Sequence, residues 1–154
     1  MNALDRAFAE SIVSLKEIVR SADPDLLYRR VAEVSVGEQI LRSAAAIEQT
    51  FGGLTANLWD DPFEWTLPES LPTSESIVEY LSEVDSTRQS FFKSIQAHAD
   101  LNKYVPVPSG EQKTLIDLLL ETLVKASDYR GRAVAIHQKA QEKSHKSHKE
   151  ETRV

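Results

Sequence analysis

Four stretches of this chain space their apolar residues by alternating threes and fours, a rhythm that suits packed helices and little else. In the first, Leu4, Phe8, Ile12, Leu15 and Val19 form one stripe on a period of 3.6 residues. Asp23-Pro24 ends it, because the residue before a proline is pushed out of the helical region. Asp25 to Arg30 then allow one short helical turn. Ser35-Val36-Gly37-Glu38 has the form of a capping box, a hydroxyl at the cap and a carboxylate three residues on. Behind it Ile40, Ala44, Ile47, Phe51, Leu54 and Leu58 make a second stripe, weakened at Gly52-Gly53. Thr73 or Ser74 opens a third helix carrying Ile77, Leu81, Val84, Phe91 and Ile95. A fourth, the longest, runs from about Glu111 to beyond Gln138. Its seam is Leu115, Leu119, Thr122, Ala126, Tyr129, Ala133 and Ile136.

Two irregular stretches separate these helices. One, from about Trp59 to Pro72, holds Pro62, Pro68 and Pro72; the other, from Asp100 to Gly110, holds Pro106 and Pro108. The first is long for a helix–helix connection, and such loops often cover something. The expected fold is therefore all-α: a four-helix bundle over residues 1–140 with long connections and no requirement for a sheet. Residues 141–154 are rich in lysine and almost free of apolar side chains, so a disordered polar tail is expected there.

Composition closes off several functions. The chain has no cysteine, which excludes a disulfide framework, a thiolate metal site and a cysteine nucleophile. With 18 basic and 24 acidic residues its formal charge is −6, so it is not built to coat nucleic acid. Apolar runs such as Leu118-Leu119-Leu120 are far shorter than the roughly 18 residues a membrane span needs. The first residues have no basic segment followed by an apolar one, so no secretory signal is expected and the cytoplasm is the predicted compartment.

The histidines decide most of the enzyme question. There are four, His98, His137, His145 and His148, and none precedes position 98. Carboxylate-bridged metal sites in bundles use Glu-x-x-His pairs on facing helices. Ile95 and Val134 stand three residues before His98 and His137, so neither has its carboxylate. Glu142 and His145 have the spacing, but they lie in the polar tail. Phosphate-loop, dinucleotide and Gly-x-Ser-x-Gly signatures are missing. Two features rise above this background. Trp59-Asp60-Asp61-Pro62-Phe63-Glu64-Trp65 gathers both tryptophans of the chain, as a plug at the bundle end or as a lid of Trp59, Phe63 and Trp65 over a pocket. Lys125 and Tyr129 share one face of the fourth helix, ahead of a Gly131 that suggests close approach of a neighbour.

Ser35-Val36-Gly37-Glu38-Gln39-Ile40-Leu41 with Ala44 to Phe51 resembles the second helix of the DinB-like (YfiT-like) four-helix bundles, and Tyr129-Arg130-Gly131-Arg132 resembles their His-Arg-Gly-Gln signature. The resemblance covers about Leu4 to Gln138. It implies a bacterial, stress-related bundle, often a homodimer, whose members bind zinc or nickel through one histidine on helix two and a His-x-x-x-His pair on helix four. Carried over, those ligands fall on Arg42 or Ser43, on Lys125 and on Tyr129, and a cationic lysine repels a divalent ion. The chain then reads as a member that has lost its metal site, with no cofactor. Two functions follow from the resemblance. One is a non-catalytic or small-molecule-binding bundle whose Arg42, Ser43, Lys125 and Tyr129 hold a small anionic ligand in the vacated site. The other is a metal-independent thiol S-transferase-like enzyme using Tyr129 or Lys125 as acid or base; the missing ligands weigh against it. The plainer alternative pairs Arg42 and Lys125 with acids such as Glu48 or Asp128. Phe91 and Phe92 lie about 100° apart on one helix, so one of them is expected to face a partner chain.

Overall fold

The computed structural model describes residues 2–64 and 68–152. It is an all-α bundle of four helices: α1 (Ala3–Ser21), α2 (Val36–Ala56), α3 (Ser74–Ser94) and α4 (Leu115–Glu151). Each begins at a polar cap whose side-chain oxygen accepts the backbone N–H three residues on. The caps are Asn2, Ser35, Thr73 and Thr114, serving Asp5, Glu38, Ser76 and Asp117. These bonds satisfy donors that a helix start otherwise leaves orphaned. At the far end of α2, Asn57 takes the left-handed conformation (φ 56°) that closes the helix.

The connections differ from expectation in detail. A single 3-10 turn, Pro24–Leu26, follows α1, and another, Pro62–Glu64, lies within the α2–α3 connection. The stretch after α3 contains a 3-10 turn, His98–Asn102, and a small antiparallel hairpin not required by the sequence pattern. Its strands are β1 (Tyr104–Pro106) and β2 (Gln112–Thr114), with Tyr104 opposite Thr114 and Pro106 opposite Gln112. The hairpin consumes the first residues assigned to the fourth helix, so α4 starts at Leu115.

Specific contacts fix the helix directions. Ser43 meets Ala126 and Thr50 meets Thr122, so α2 and α4 run antiparallel. Phe8, early in α1, stacks edge-on against Phe51, late in α2, at 5.1 Å between ring centroids. Glu48 and Tyr80 pair, and further along Phe51 touches Phe91, so α2 and α3 run the same way. The order is up, down, down, up. Two parallel neighbours cannot be joined by a short turn, and this is the physical reason for the long connection from Asn57 to Thr73.

The core joins Phe8, Ile12, Leu15, Ile40, Ile47, Phe51, Ile77, Leu81 and Leu119, all buried. Phe91 and Phe92 both enter an aromatic cluster with Phe8 and Phe51. Phe91 is buried and Phe92 half-buried, so neither ring stands clear of its own chain. Two rings 100° apart straddle the junction of three helices instead. Arg88, only 5% exposed, is held between Asp5 of α1 and Asp85 of its own helix, which satisfies a charge that burial would otherwise penalise heavily.

Residues 141–151, expected to be disordered, continue α4 as helix, and all of them are exposed. Gln, Glu and Lys are good helix formers, and adding residues to an existing helix avoids the nucleation penalty. His148 and Lys149 in the last turn also suit its negative end. Among the described residues no helix is long and apolar enough to cross a membrane.

Candidate functional site

The seam between α2 and α4 is where sequence places Arg42, Ser43, Lys125 and Tyr129. Ser43 is fully buried and donates its hydroxyl to the Ala126 carbonyl at 2.8 Å. Lower in the seam Thr122 gives its proton to the Leu118 carbonyl, so Thr50 is the donor to Thr122 at 2.7 Å. Small residues (Ala44, Ala45 and Ala46 on α2, Ala126 and Ala133 on α4) are buried on the same two helices. The helices are thus in direct contact at Ser43 and Ala126 and at Thr50 and Thr122.

Arg42 and Lys125 each stand one residue from that paired Ser43 and Ala126, on the solvent side of the seam. Arg42 pairs with Glu38 at 3.2 Å and lies over the Phe63 ring at 4.0 Å, a cation–π arrangement. Lys125 is exposed and has no ion pair among the described residues; Tyr129 is half-buried with Arg132 over its ring at 5.4 Å. The acids named as alternative partners are engaged elsewhere. Asp128 binds Arg132, and Glu48 accepts the Tyr80 hydroxyl. Burial, followed by the nearby Glu83 charge, holds the Glu48 carboxyl above its ordinary range, with the Tyr80 bond pulling the other way. Neither of the two cavities described below is lined by any of the four residues.

The aromatic segment lies along the outer flank of α2. Trp59 sits directly on Gly53, where any Cβ would collide with its ring. Gln49 donates to the Trp59 carbonyl at 2.8 Å and the indole donates to Asn57 at 3.0 Å. Trp59 and Phe63 therefore fasten the crossover to α2. Trp65, the third residue of the expected lid, lies outside the described residues. Gly131 is the reverse of Gly53, with nothing within 4 Å of a Cβ built there. The close approach expected at it is corrected: the residue faces open space.

Two cavities among the described residues lie away from this seam. One, of about 170 Å³, is bordered by Asn2, Asp5, Phe92 and His98, but Asn2 caps α1 and Asp5 is committed to Arg88. The other, of about 580 Å³, opens between the end of α1, the segment after it and the far half of α4. Arg29, Arg30, Lys139 and Lys143 line it, with His137 between them. The Ser21 hydroxyl donates to the Ile18 carbonyl and is also hydrogen-bonded to His137 Nε2 at 3.1 Å. The wall carrying Arg29 and Arg30 is held by a tight turn in which Val31 and Val34 exchange backbone bonds. Its central residues, Ala32 and Glu33, have φ of 50° and 70°, a left-handed conformation costing a side-chain-bearing residue about 1 kcal/mol each. This wall was not legible in the sequence: Arg29 and Arg30 meet Lys139 and Lys143 only through the fold. Among the described residues no three His, Asp or Glu side chains converge as a metal site would require.

No family model matches this chain, and no curated protein matches it.

Proposed function

We propose that the protein is a DinB-like bundle that acts by binding a small molecule and not by metal-dependent catalysis. The observation that carries this reading is the Ser43 hydroxyl bonded to the Ala126 carbonyl inside a closed α2–α4 seam. A side chain there serves helix packing. On the solvent side Arg42 is tied to Glu38 and Phe63, and neither it nor Lys125 is a ligand for a divalent cation. We place the protein in the cytoplasm as part of the same reading.

Restoring the missing ligands tests the resemblance. Arg42→His, Lys125→His and Tyr129→His together would put three imidazoles on the solvent edge of two packed helices. Position 42 is chosen over 43 because a histidine at the buried Ser43 would overpack the seam. If the alignment holds, the triple variant gains a zinc-dependent rise in melting temperature that the parent lacks. A folded variant indifferent to zinc rejects the membership.

A homodimer belongs to this proposal, through the outer face of α4, where Leu120 and Val124 are 45% and 70% exposed. Light scattering that returns a single-chain mass at tens of micromolar rejects it.

A further inference from the structure

We infer that the cleft between the end of α1 and the far half of α4 binds a small amphipathic organic anion, one with a phosphate or carboxylate head and an apolar body. The inference deepens the binding reading above by naming the ligand class, and it rests on that reading only for the claim that binding is what the protein does. Arg29 and Arg30 stand on one wall, and Lys139 and Lys143, one helical turn apart, on the other. None of the four enters an ion pair among the described residues. The acid in the lining, Asp23, already accepts the Asp25 amide as a cap. Four cations thus line one cleft against a single carboxylate, Asp23, in a chain whose formal charge is −6. Like charges gathered around a concavity repel one another, and a bound anion relieves that repulsion.

Charge alone would suit inorganic phosphate; the floor points further. Leu26, Val31, Val36, Ile136 and Ala140 line the same cleft, and Val31 remains 38% exposed. At about 580 Å³ the space falls within the usual range for organic ligands, with an apolar lining and a few converging polar groups. The turn at Ala32 and Glu33 holds its residues in an unfavourable conformation and so sets Arg29, Arg30 and Val31 against α4. Strain of this kind concentrates where a site is built.

Decyl phosphate, used below its micelle-forming concentration, is the probe, with inorganic phosphate and decyltrimethylammonium as the head alone and the oppositely charged tail. Calorimetric titration should show binding of decyl phosphate, at least about tenfold weaker binding of either control, and weakening with salt. Arg29→Glu with Lys143→Glu should weaken decyl phosphate binding by about tenfold or more, while Lys146→Glu with Lys149→Glu, further along the same helix, should change it less than about twofold. Equal loss in the two double variants, or equal binding of the cationic tail, overturns the inference. Inorganic phosphate binding as tightly as decyl phosphate overturns the amphipathic part. These outcomes are independent of zinc, so failure here and failure of the family membership are separately visible.

Discussion

At the scale of single residues, three glycines show how differently one residue type is used. Gly37 lies against the Tyr28 ring and Gly53 against the Trp59 ring, so a methyl group at either would collide with an aromatic side chain. Gly131 has open space around it in mid-helix. Gly53→Ala should therefore destabilise the fold by about 1–3 kcal/mol, as overpacking does. Gly131→Ala should stabilise it by about 0.5–1 kcal/mol, through helix propensity and reduced freedom of the unfolded chain. Urea unfolding of the two variants checks both signs; a destabilising Gly131→Ala would mean that α4 is covered there. Sequence singled out Gly131 and undervalued Gly53, because spacing along a helix does not say what lies across from it. Ser43 teaches the same lesson. It is buried beside Ile40 and Ile47 on one helix, but its bond to the Ala126 carbonyl depends on a helix distant in the chain.

At the scale of elements, what is local was legible and what is topological was not. The helices and caps followed from periodicity and from Ser35, Thr73 and their neighbours, because those signals act within a turn or two. The long α2–α3 connection was seen but assigned to a lid or plug, whereas parallel α2 and α3 require a crossover of that length. The end of α4 was misjudged because absence of apolar residues rules out core packing but not helix. Removing Glu142 to Val154 takes away exposed helix, including the Lys143 and Ser144 edge of the cleft. The melting temperature should then change by no more than a few degrees, since residues 142–152 are all exposed, while far-UV ellipticity falls and decyl phosphate binding weakens. A truncated chain that melts many degrees lower would show that the end of α4 packs on the bundle.

At the scale of the whole molecule, charge and packing divide the bundle. One end is closed by the aromatic cluster of Phe8, Phe51, Phe91 and Phe92 and by Arg88 between Asp5 and Asp85. The other holds the basic cleft, and the α2–α4 seam between them is shut by hydroxyl bonds and alanines. The anion cleft proposed above lies at that second end, and among the described residues no three His, Asp or Glu side chains gather as a divalent cation would require. The metal content of tag-free protein, expressed in medium supplemented with zinc and nickel, tests that most directly. Far less than one equivalent of either metal per chain is expected; a stoichiometric zinc or nickel that survives gel filtration would contradict the binding reading.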